Sequence, residues 1–215
     1  MTPFASFLSG LLIGVAIAAP VGPIGVLCIR RALAHGRLSG FVSGLGAAVA
    51  DALYGVVAAF GLSIVMQTLV GLQAWLQAGG AAFLLLLAIR IARAPVPEIG
   101  TAPAGLGAGA LAVQFLGVFL LTLANPATIL SFIAIFAGAG LGAGAGEGAL
   151  RLDAAAAMVG GVFLGSAAWW LLLSQGVALF RHRLGGPGLK LVNLASAAML
   201  GAFALWTLRQ LLVRI

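Results

Sequence analysis

The sequence predicts an all-α polytopic membrane protein with six transmembrane helices in a 3+3 inverted repeat, in which helices one and four are broken. Hydrophobic residues make up 63% of the chain and charged residues only 7%, whereas a soluble domain carries about 25% charged residues. At about 20 residues for each span, the 215 residues leave room for about six spans and short loops. We therefore expect one transmembrane domain over 1–215, with a first repeat at 1–93, a cytoplasmic linker at 94–111 and a second repeat at 112–215.

The first half contains three apolar segments, at about 4–28, 38–65 and 75–91. The first segment carries Pro20, Gly22 and Pro23 within four positions. Proline lacks the backbone N–H and clashes with the preceding turn, so two prolines this close break or kink a helix. Backbone groups freed at membrane depth must be satisfied inside the protein or by a water-filled cavity. The break therefore indicates a buried polar site. A polar hinge precedes the third segment and contains Gln67, Gln73 and Gln77.

The second half follows a linker rich in proline and glycine, and its segments lie at about 112–137, 154–180 and 189–212. Asn125 and Pro126 interrupt the first of these segments. Interruptions at corresponding places in two halves are typical of an inverted repeat with a binding site near the bilayer midplane. The alternative is two independent kinks that only shape the packing of helices.

Basic residues predict the orientation of the chain in the bilayer. The loops after segments one, three and five hold eight of them, against three on the other side: Arg30, Arg31, Arg37, Arg90, Arg93, Arg181, Arg183 and Lys190, against Arg151, Arg209 and Arg214. The positive-inside rule then places those loops in the cytoplasm and both termini on the periplasmic or external side. This distribution also accounts for the net charge of +7 better than nucleic-acid binding does.

Asp51 is the deepest acidic residue, because it lies fourteen positions after Arg37 within the second segment. At about 1.5 Å per residue this places the carboxyl near mid-bilayer, where an acid costs about 2.5–3.5 kcal/mol by insertion scales. Such a group is expected to face a cavity or a partner, and it suits a proton-coupling site or an anchor for an amine. The alternative is a protonated carboxyl that joins two helices by a hydrogen bond.

The other candidate residues of a substrate or proton pathway are polar or aromatic groups near Asp51 or near the breaks. Tyr54, the only tyrosine, lies one turn from Asp51. The second break carries a polar cluster of Thr122, Asn125 and Thr128. Segment five adds Ser166 and Trp169, which are three positions apart and so lie on one face of a helix. Small residues at intervals of four, such as Gly161 and Gly165, favour close helix approach.

The chain shows none of the catalytic or nucleotide-binding motifs that would indicate an enzyme or an ATP-driven pump. His35 and His182 have no carboxylate or cysteine neighbours at metal-ligand spacing. Cys28 is the single cysteine, which excludes an intrachain disulfide. We therefore expect no enzymatic activity, no cofactor and no metal, and any uphill transport would use an ion gradient or the membrane potential.

Several stretches resemble the LysE family of amino-acid exporters, in order and along essentially the whole chain. The first half carries A-A-P-V-G-P-I-G at 18–25 and G-L-G-A-A-V-A-D-A-L-Y-G at 44–55. The second half carries L-A-N-P-A-T-I-L-S-F at 123–132 and G-S-A-A-W-W-L-L-L-S at 165–174. By position, the residues that match the family's motifs are Pro20, Gly22, Pro23, Asp51, Asn125 and Pro126.

This resemblance implies a bacterial inner-membrane secondary transporter, a homodimer in the lipid bilayer. It would export amino acids or related small metabolites, and the proton motive force would drive this export. Ile24 and Gly25 follow the first break where the family often has a ring or amide residue, and Ala88 replaces a common glycine. We therefore do not carry a lysine or threonine specificity over to this chain. The alternatives are an exporter of metal ions or other metabolites, and a membrane scaffold that transports nothing.

Overall fold

The computed structural model describes residues 2–20, 22–59, 71–93, 106–125, 128–129, 131–132, 152–180 and 186–213. These residues form helices and no strand: α1 (Pro3–Ala18), α2 (Pro23–His35), α3 (Arg37–Ala59), α4 (Gln73–Arg93), α5 (Ala108–Leu123), α6 (Leu152–Phe180) and α7 (Gly186–Val213). The all-α part of the prediction is confirmed. Pro126 and most of the predicted loops lie outside the described residues.

Four helices, α3, α4, α6 and α7, are long and apolar enough to cross a membrane. The pair α1 and α2 passes the same test together, with an angle of 81° between its two parts. α5 is a shorter apolar helix of 16 residues. The predicted end of the fourth segment lies in 133–150, outside the described residues, so the count of six spans stays a prediction.

The first predicted break lies between α1 and α2. Gly22 is the N-cap residue of α2, and Pro23 occupies its first turn, where the missing N–H of proline costs nothing. The N–H of Gly22 donates to the carbonyl of Pro20 at 2.9 Å. The first N–H groups of a helix have no intrahelical partner, and no side chain caps those of α2.

α5 ends at Leu123, three residues before Pro126. The residue before a proline is disfavoured in helical conformation, which agrees with this end point. The N–H of Asn125 turns back to the carbonyl of Thr122 at 3.2 Å, and the carbonyl of Asn125 accepts from Ile129 at 3.2 Å. Asn125 therefore lies between the end of α5 and the helical residues at 128–129 and 131–132.

Small residues are frequent in the interior, and many large apolar residues face outward, as expected for a bundle surrounded by lipid. The buried core is rich in alanine, with hydroxyl groups between the helices, as at Ser39, Ser43, Ser166 and Ser174. Large side chains that are strongly exposed occur on every helix except α2, for example Phe4, Leu38, Leu86, Leu120, Leu172 and Leu194. The exposure of these large apolar side chains supports the assignment as a membrane protein.

α1 and α6 pack backbone against backbone along their length. A Cβ at Gly161 would run into the carbonyl of Phe7, and a Cβ at Gly165 into that of Leu11. Glycines of α1 make the same approach from the other side: Gly10 onto Met158 and Gly14 onto Val162. The paired residues rise together in number, so the two helices are parallel.

α3 lies at the centre and contacts α2, α5 and α6. A Cβ at Gly46 would run into the carbonyl of Phe115, so α3 approaches α5 as closely as α6 approaches α1. α3 begins directly after Gly36, the only described glycine with positive φ, at 90°, a conformation that glycine adopts without strain. α4 packs on α7 at the side of this group.

Candidate functional site

A cavity of about 60 Å³ lies between the two breaks. Helix α3 and helix α6 contribute one wall each, and the break residues contribute the rest. The lining residues that the following argument uses are Pro20, Gly22, Pro23, Asp51, Thr122, Asn125, Thr128 and Trp170. Most of the predicted pathway residues of the described chain are therefore brought together around a single small cavity.

Asp51 is 2% exposed and lies on the α3 wall of this cavity. Its Oδ2 accepts a hydrogen bond from the Ser166 hydroxyl at 2.8 Å, and Ser166 Oγ accepts one from Trp170 Nε1 at 3.2 Å. No other described residue makes a hydrogen bond or an ion pair with Asp51. Its Oδ1 is therefore left for a proton or a ligand in the cavity.

The N-terminus of α2 lines the same cavity with Gly22, Pro23, Ile24 and Gly25. A helix N-terminus combines free N–H groups with the positive end of the helix dipole, and it favours negative charge. The cavity thus has an acidic group on one wall and an anion-binding helix end on another.

The second break adds polar groups. Asn125 lines the cavity, and its amide can both donate and accept hydrogen bonds. The hydroxyl of Thr122 donates to the carbonyl of Val118 at 2.8 Å, so it serves α5 itself. Thr128 is buried at the cavity.

Tyr54 is buried but does not line this cavity. Its hydroxyl donates to the carbonyl of Leu123 at 2.7 Å, and its ring stacks on Phe132 with centroids 5.2 Å apart. Leu123 is the last residue of α5, where carbonyl groups lack an intrahelical donor. Tyr54 therefore satisfies the backbone at the second break and does not contact Asp51 by any described hydrogen bond.

Two aromatic neighbours on α6 differ from the sequence expectation. Trp169 does not line the Asp51 cavity; it lines an apolar groove with Ile29 and Leu33 of α2. Trp170 takes the position beside Ser166, four residues earlier on the same helix. On a helix, a residue four positions after Ser166 lies at least as close to it as Trp169, three positions after it. This spacing could have identified Trp170 as the partner of Ser166 from the sequence. Pro126 lies outside the described residues.

A second, smaller cavity of about 20 Å³ adjoins the first. Pro23, Ile24 and Asn125 line both cavities. Its other walls come from α4, α5 and α7, and they include Gln77 and Thr207. The sequence suggested a hinge at Gln77, whereas the structure places this residue inside α4.

Arg31 forms a separate polar cluster. It is 8% exposed, and its Nη1 donates to Ser43 Oγ at 2.9 Å and to the carbonyl of Gln114 at 3.0 Å. The Ser39 hydroxyl donates to Gln114 Oε1 at 2.6 Å. The cluster joins α2, α3 and α5 on the side where α2 ends and α3 begins, and it does not line either cavity.

No group of three or more metal-binding side chains occurs among the described residues. Among the described residues that line the cavity, Asp51 is the only acidic one, and its polar neighbours are hydroxyl, amide and indole groups. Hard divalent cations are bound by several oxygen ligands and often by more than one carboxylate. The donor set fits a small polar organic group better.

Comparison with known proteins confirms the family resemblance. The family model described as LysE type translocator matches residues 15–211. The chain is 32% identical over 179 residues to the uncharacterized membrane protein YahN of Escherichia coli (strain K12), covering 82% of this chain and 77% of that protein. No solved structure matches the chain.

A second relative carries a functional name. The chain is 28% identical over 178 residues to a Bacillus subtilis (strain 168) protein named "Putative amino acid efflux protein YcgF". The match covers 83% of each chain. Both relatives are therefore matched along most of their length.

Proposed function

This chain belongs to the LysE type translocator family, and we propose that it exports amino acids or related small metabolites across the bacterial cytoplasmic membrane. The proton motive force drives this export. The name of the Bacillus relative supports the substrate class. The placement of basic residues supports cytoplasmic loops after spans one, three and five, with both termini external. A homodimer remains an expectation from the resemblance.

The observation that carries this proposal is the arrangement of opposite partners around the Asp51 cavity. An amino acid carries a positive amine and a negative carboxylate on one carbon. In our proposal the amine binds Asp51 Oδ1, to which no described residue donates. The substrate carboxylate binds the N-terminus of α2, whose first turn lines the cavity. The amide of Asn125 contacts the substrate from the second break.

The packing supports a 3+3 inverted repeat. Ser166 follows Asp51 by 115 residues, and Gly161 follows Gly46 by the same interval. Gly46 approaches the carbonyl of Phe115 and the N–H of Phe119 on α5, while Gly161 approaches the corresponding groups of Phe7 and Leu11 on α1. The two halves thus repeat one contact pattern at matching spacing. The Asp51–Ser166 pair then lies on the pseudo-twofold axis, where two equivalent positions meet.

These contacts also suggest how access alternates. α1 with α6, and α3 with α5, are each joined by glycines whose Cβ would meet the backbone of the partner helix, whereas the close glycine contact of α3 with α6, Gly44 on Trp170, is with a side chain. We infer that each pair moves as one rigid body. The two bodies meet at α3 and α6, beside the cavity. Rocking at this contact would open the cavity to one side of the membrane and then to the other.

Efflux from preloaded cells tests the proposal. Cells that express the protein are loaded with a panel of labelled amino acids, and efflux is measured with and without a protonophore. We expect faster efflux of a subset of the panel than in cells without the protein, and loss of this difference with the protonophore. Absence of any added efflux from a well-accumulated protein would reject amino acids and direct the search to ions and other metabolites.

A further inference from the structure

The smaller cavity beside Asn125 contains a polar side chain that the bundle leaves without a partner. Gln77 of α4 is 6% exposed and lines this cavity. Within the described part of the chain, its amide makes no hydrogen bond with another side chain or with the backbone. An amide held in a largely buried position without a partner is unfavourable. A group that enters the cavity and pairs with Gln77 would supply the missing partner.

The position of the cavity connects it to the proposed substrate site. Pro23, Ile24 and Asn125 separate the two spaces and line both. A substrate held at Asp51 and at the N-terminus of α2 would have its remaining substituent next to this shared wall. The smaller cavity is therefore placed to receive an amino-acid side chain.

The chemistry of the walls narrows the side chains that fit. None of the described residues that line the smaller cavity is charged. Apart from Gln77, the polar lining consists of Asn125 and of Thr207, whose hydroxyl donates to the carbonyl of Phe203 at 2.9 Å. The rest is apolar, as at Leu84 and Leu121. A cationic or anionic side chain would meet no opposite charge here.

The size of the cavity points the same way. Its volume of about 20 Å³ corresponds to one or two water molecules by the usual measure, about 10–15 Å³ for each. A terminal carboxamide or hydroxyl suits this space better than a guanidinium or an aromatic ring.

We propose that the smaller cavity is the side-chain subsite of the exporter, and that Gln77 selects amino acids with a short, uncharged, hydrogen-bonding side chain. This inference rests on the proposed amino-acid export. The amide of Gln77 both donates and accepts, so it pairs with a carboxamide or a hydroxyl of the substrate. An apolar side chain of the same shape leaves Gln77 unpaired and is exported more slowly.

Asparagine and leucine provide the test, because their side chains have nearly the same shape and differ in hydrogen bonding. Efflux of labelled asparagine and labelled leucine is measured in cells that express the wild type or Gln77→Met, a replacement of similar volume. Gln210→Met is the matched control, because Gln210 is an exposed residue of α7. The ratio of asparagine to leucine efflux is taken within each variant, so that lower accumulation affects both rates equally.

We expect the wild type to prefer asparagine and Gln77→Met to lower the efflux ratio about tenfold, the effect of one lost hydrogen bond. The control should keep the wild-type ratio. Thr207→Val, in the same cavity, should lower the ratio by a smaller factor and provides a second reading if Gln77→Met does not accumulate.

Two results would overturn the inference while amino-acid export stands. One is a wild type that exports leucine as well as asparagine. The other is an efflux ratio that Gln77→Met leaves unchanged, which would mean that Gln77 contacts only water. A wild type that exports no amino acid of the panel would instead overturn the proposed function, and the side-chain subsite with it.

Discussion

The hydroxyl of Ser166 donates a 2.8 Å hydrogen bond to Oδ2 of Asp51, across 115 residues of sequence. The partner of the deep carboxyl is thus a neutral hydroxyl, and no described residue forms an ion pair with it. The hydroxyl fixes one carboxyl oxygen and leaves the charge of the group unopposed. This arrangement suits a carboxyl that exchanges its partner, a proton or an amine, during transport.

Asp51→Asn should insert normally and lower gradient-driven efflux about tenfold or more, because the amide cannot carry a proton or pair with an amine as a carboxylate does. Exchange of labelled for unlabelled substrate without a gradient separates the two roles. Exchange that persists assigns Asp51 to coupling, whereas loss of exchange assigns it to binding. Asp153→Asn, an exposed residue at the start of α6, is the matched control. Full driven efflux by Asp51→Asn would reject both roles.

Ser166→Ala should reduce efflux several-fold, because it removes the hydroxyl that orients Asp51 and accepts from Trp170. Ser174→Ala is the control on the same helix. Ser174 is also buried, and its hydroxyl has no hydrogen-bond partner among the described residues. Equal rates for the two variants, measured at equal accumulation, would argue against an orienting role for Ser166.

Gly161→Ala should destabilise the protein by about 1–3 kcal/mol, the usual cost of overpacking, since its Cβ meets the backbone of α1, which cannot turn aside as a side chain does. Gly160→Ala is the natural control, because a Cβ there has no neighbour within 4 Å. The two variants are compared by their midpoints of thermal unfolding in detergent, with unfolding monitored by size-exclusion chromatography. Matching midpoints for the two variants would contradict the close approach of α1 and α6.

Tyr54→Phe should lower stability by about 1–3 kcal/mol, because it leaves the carbonyl of Leu123 without its donor. The stacking of this ring on Phe132 should survive. Tyr54→Leu removes both contacts and should lower the midpoint further. A Tyr54→Phe protein as stable as the wild type would mean that another donor satisfies the second break.

Cysteine labelling tests the predicted orientation. Cys28 is buried, and Cys28→Ala gives a background without cysteine. In that background, Thr2→Cys should react with a membrane-impermeant maleimide added to intact cells, and Arg37→Cys should react only after permeabilisation. Both replaced residues are exposed in the structure. The reverse pattern would place the termini in the cytoplasm.

The sequence predicted those features of the site that depend on single residues. Pro20 and Pro23 identify the first break because proline cannot continue a helix. The depth of Asp51 follows from counting residues along one apolar helix. Both features lie at the cavity in the structure.

Features that depend on the rotation of one helix against another could not be predicted from the sequence. Trp169 and Trp170 differ by one position, and only the packing of α6 on α2 and α3 decides which indole faces the Asp51 cavity. Gln77 was assigned to a hinge together with Gln67 and Gln73, whereas the contact of α4 with α7 buries it. The cluster at Arg31 joins three helices, and sequence spacing within one helix contains no information on such a contact.

The close pairing of α1 with α6 has a consequence for biogenesis. The glycines of α1 lie at positions 10 and 14 and meet a helix that begins at Leu152, so most of the chain is synthesised before the first helix finds its partner. Until then the grooved face of α1 must be covered by lipid, by the insertion machinery or by a non-native helix. Chains that stall before α6 would display this unpaired face, and membrane proteases that recognise loosely packed helices would have a way to sort them from completed ones.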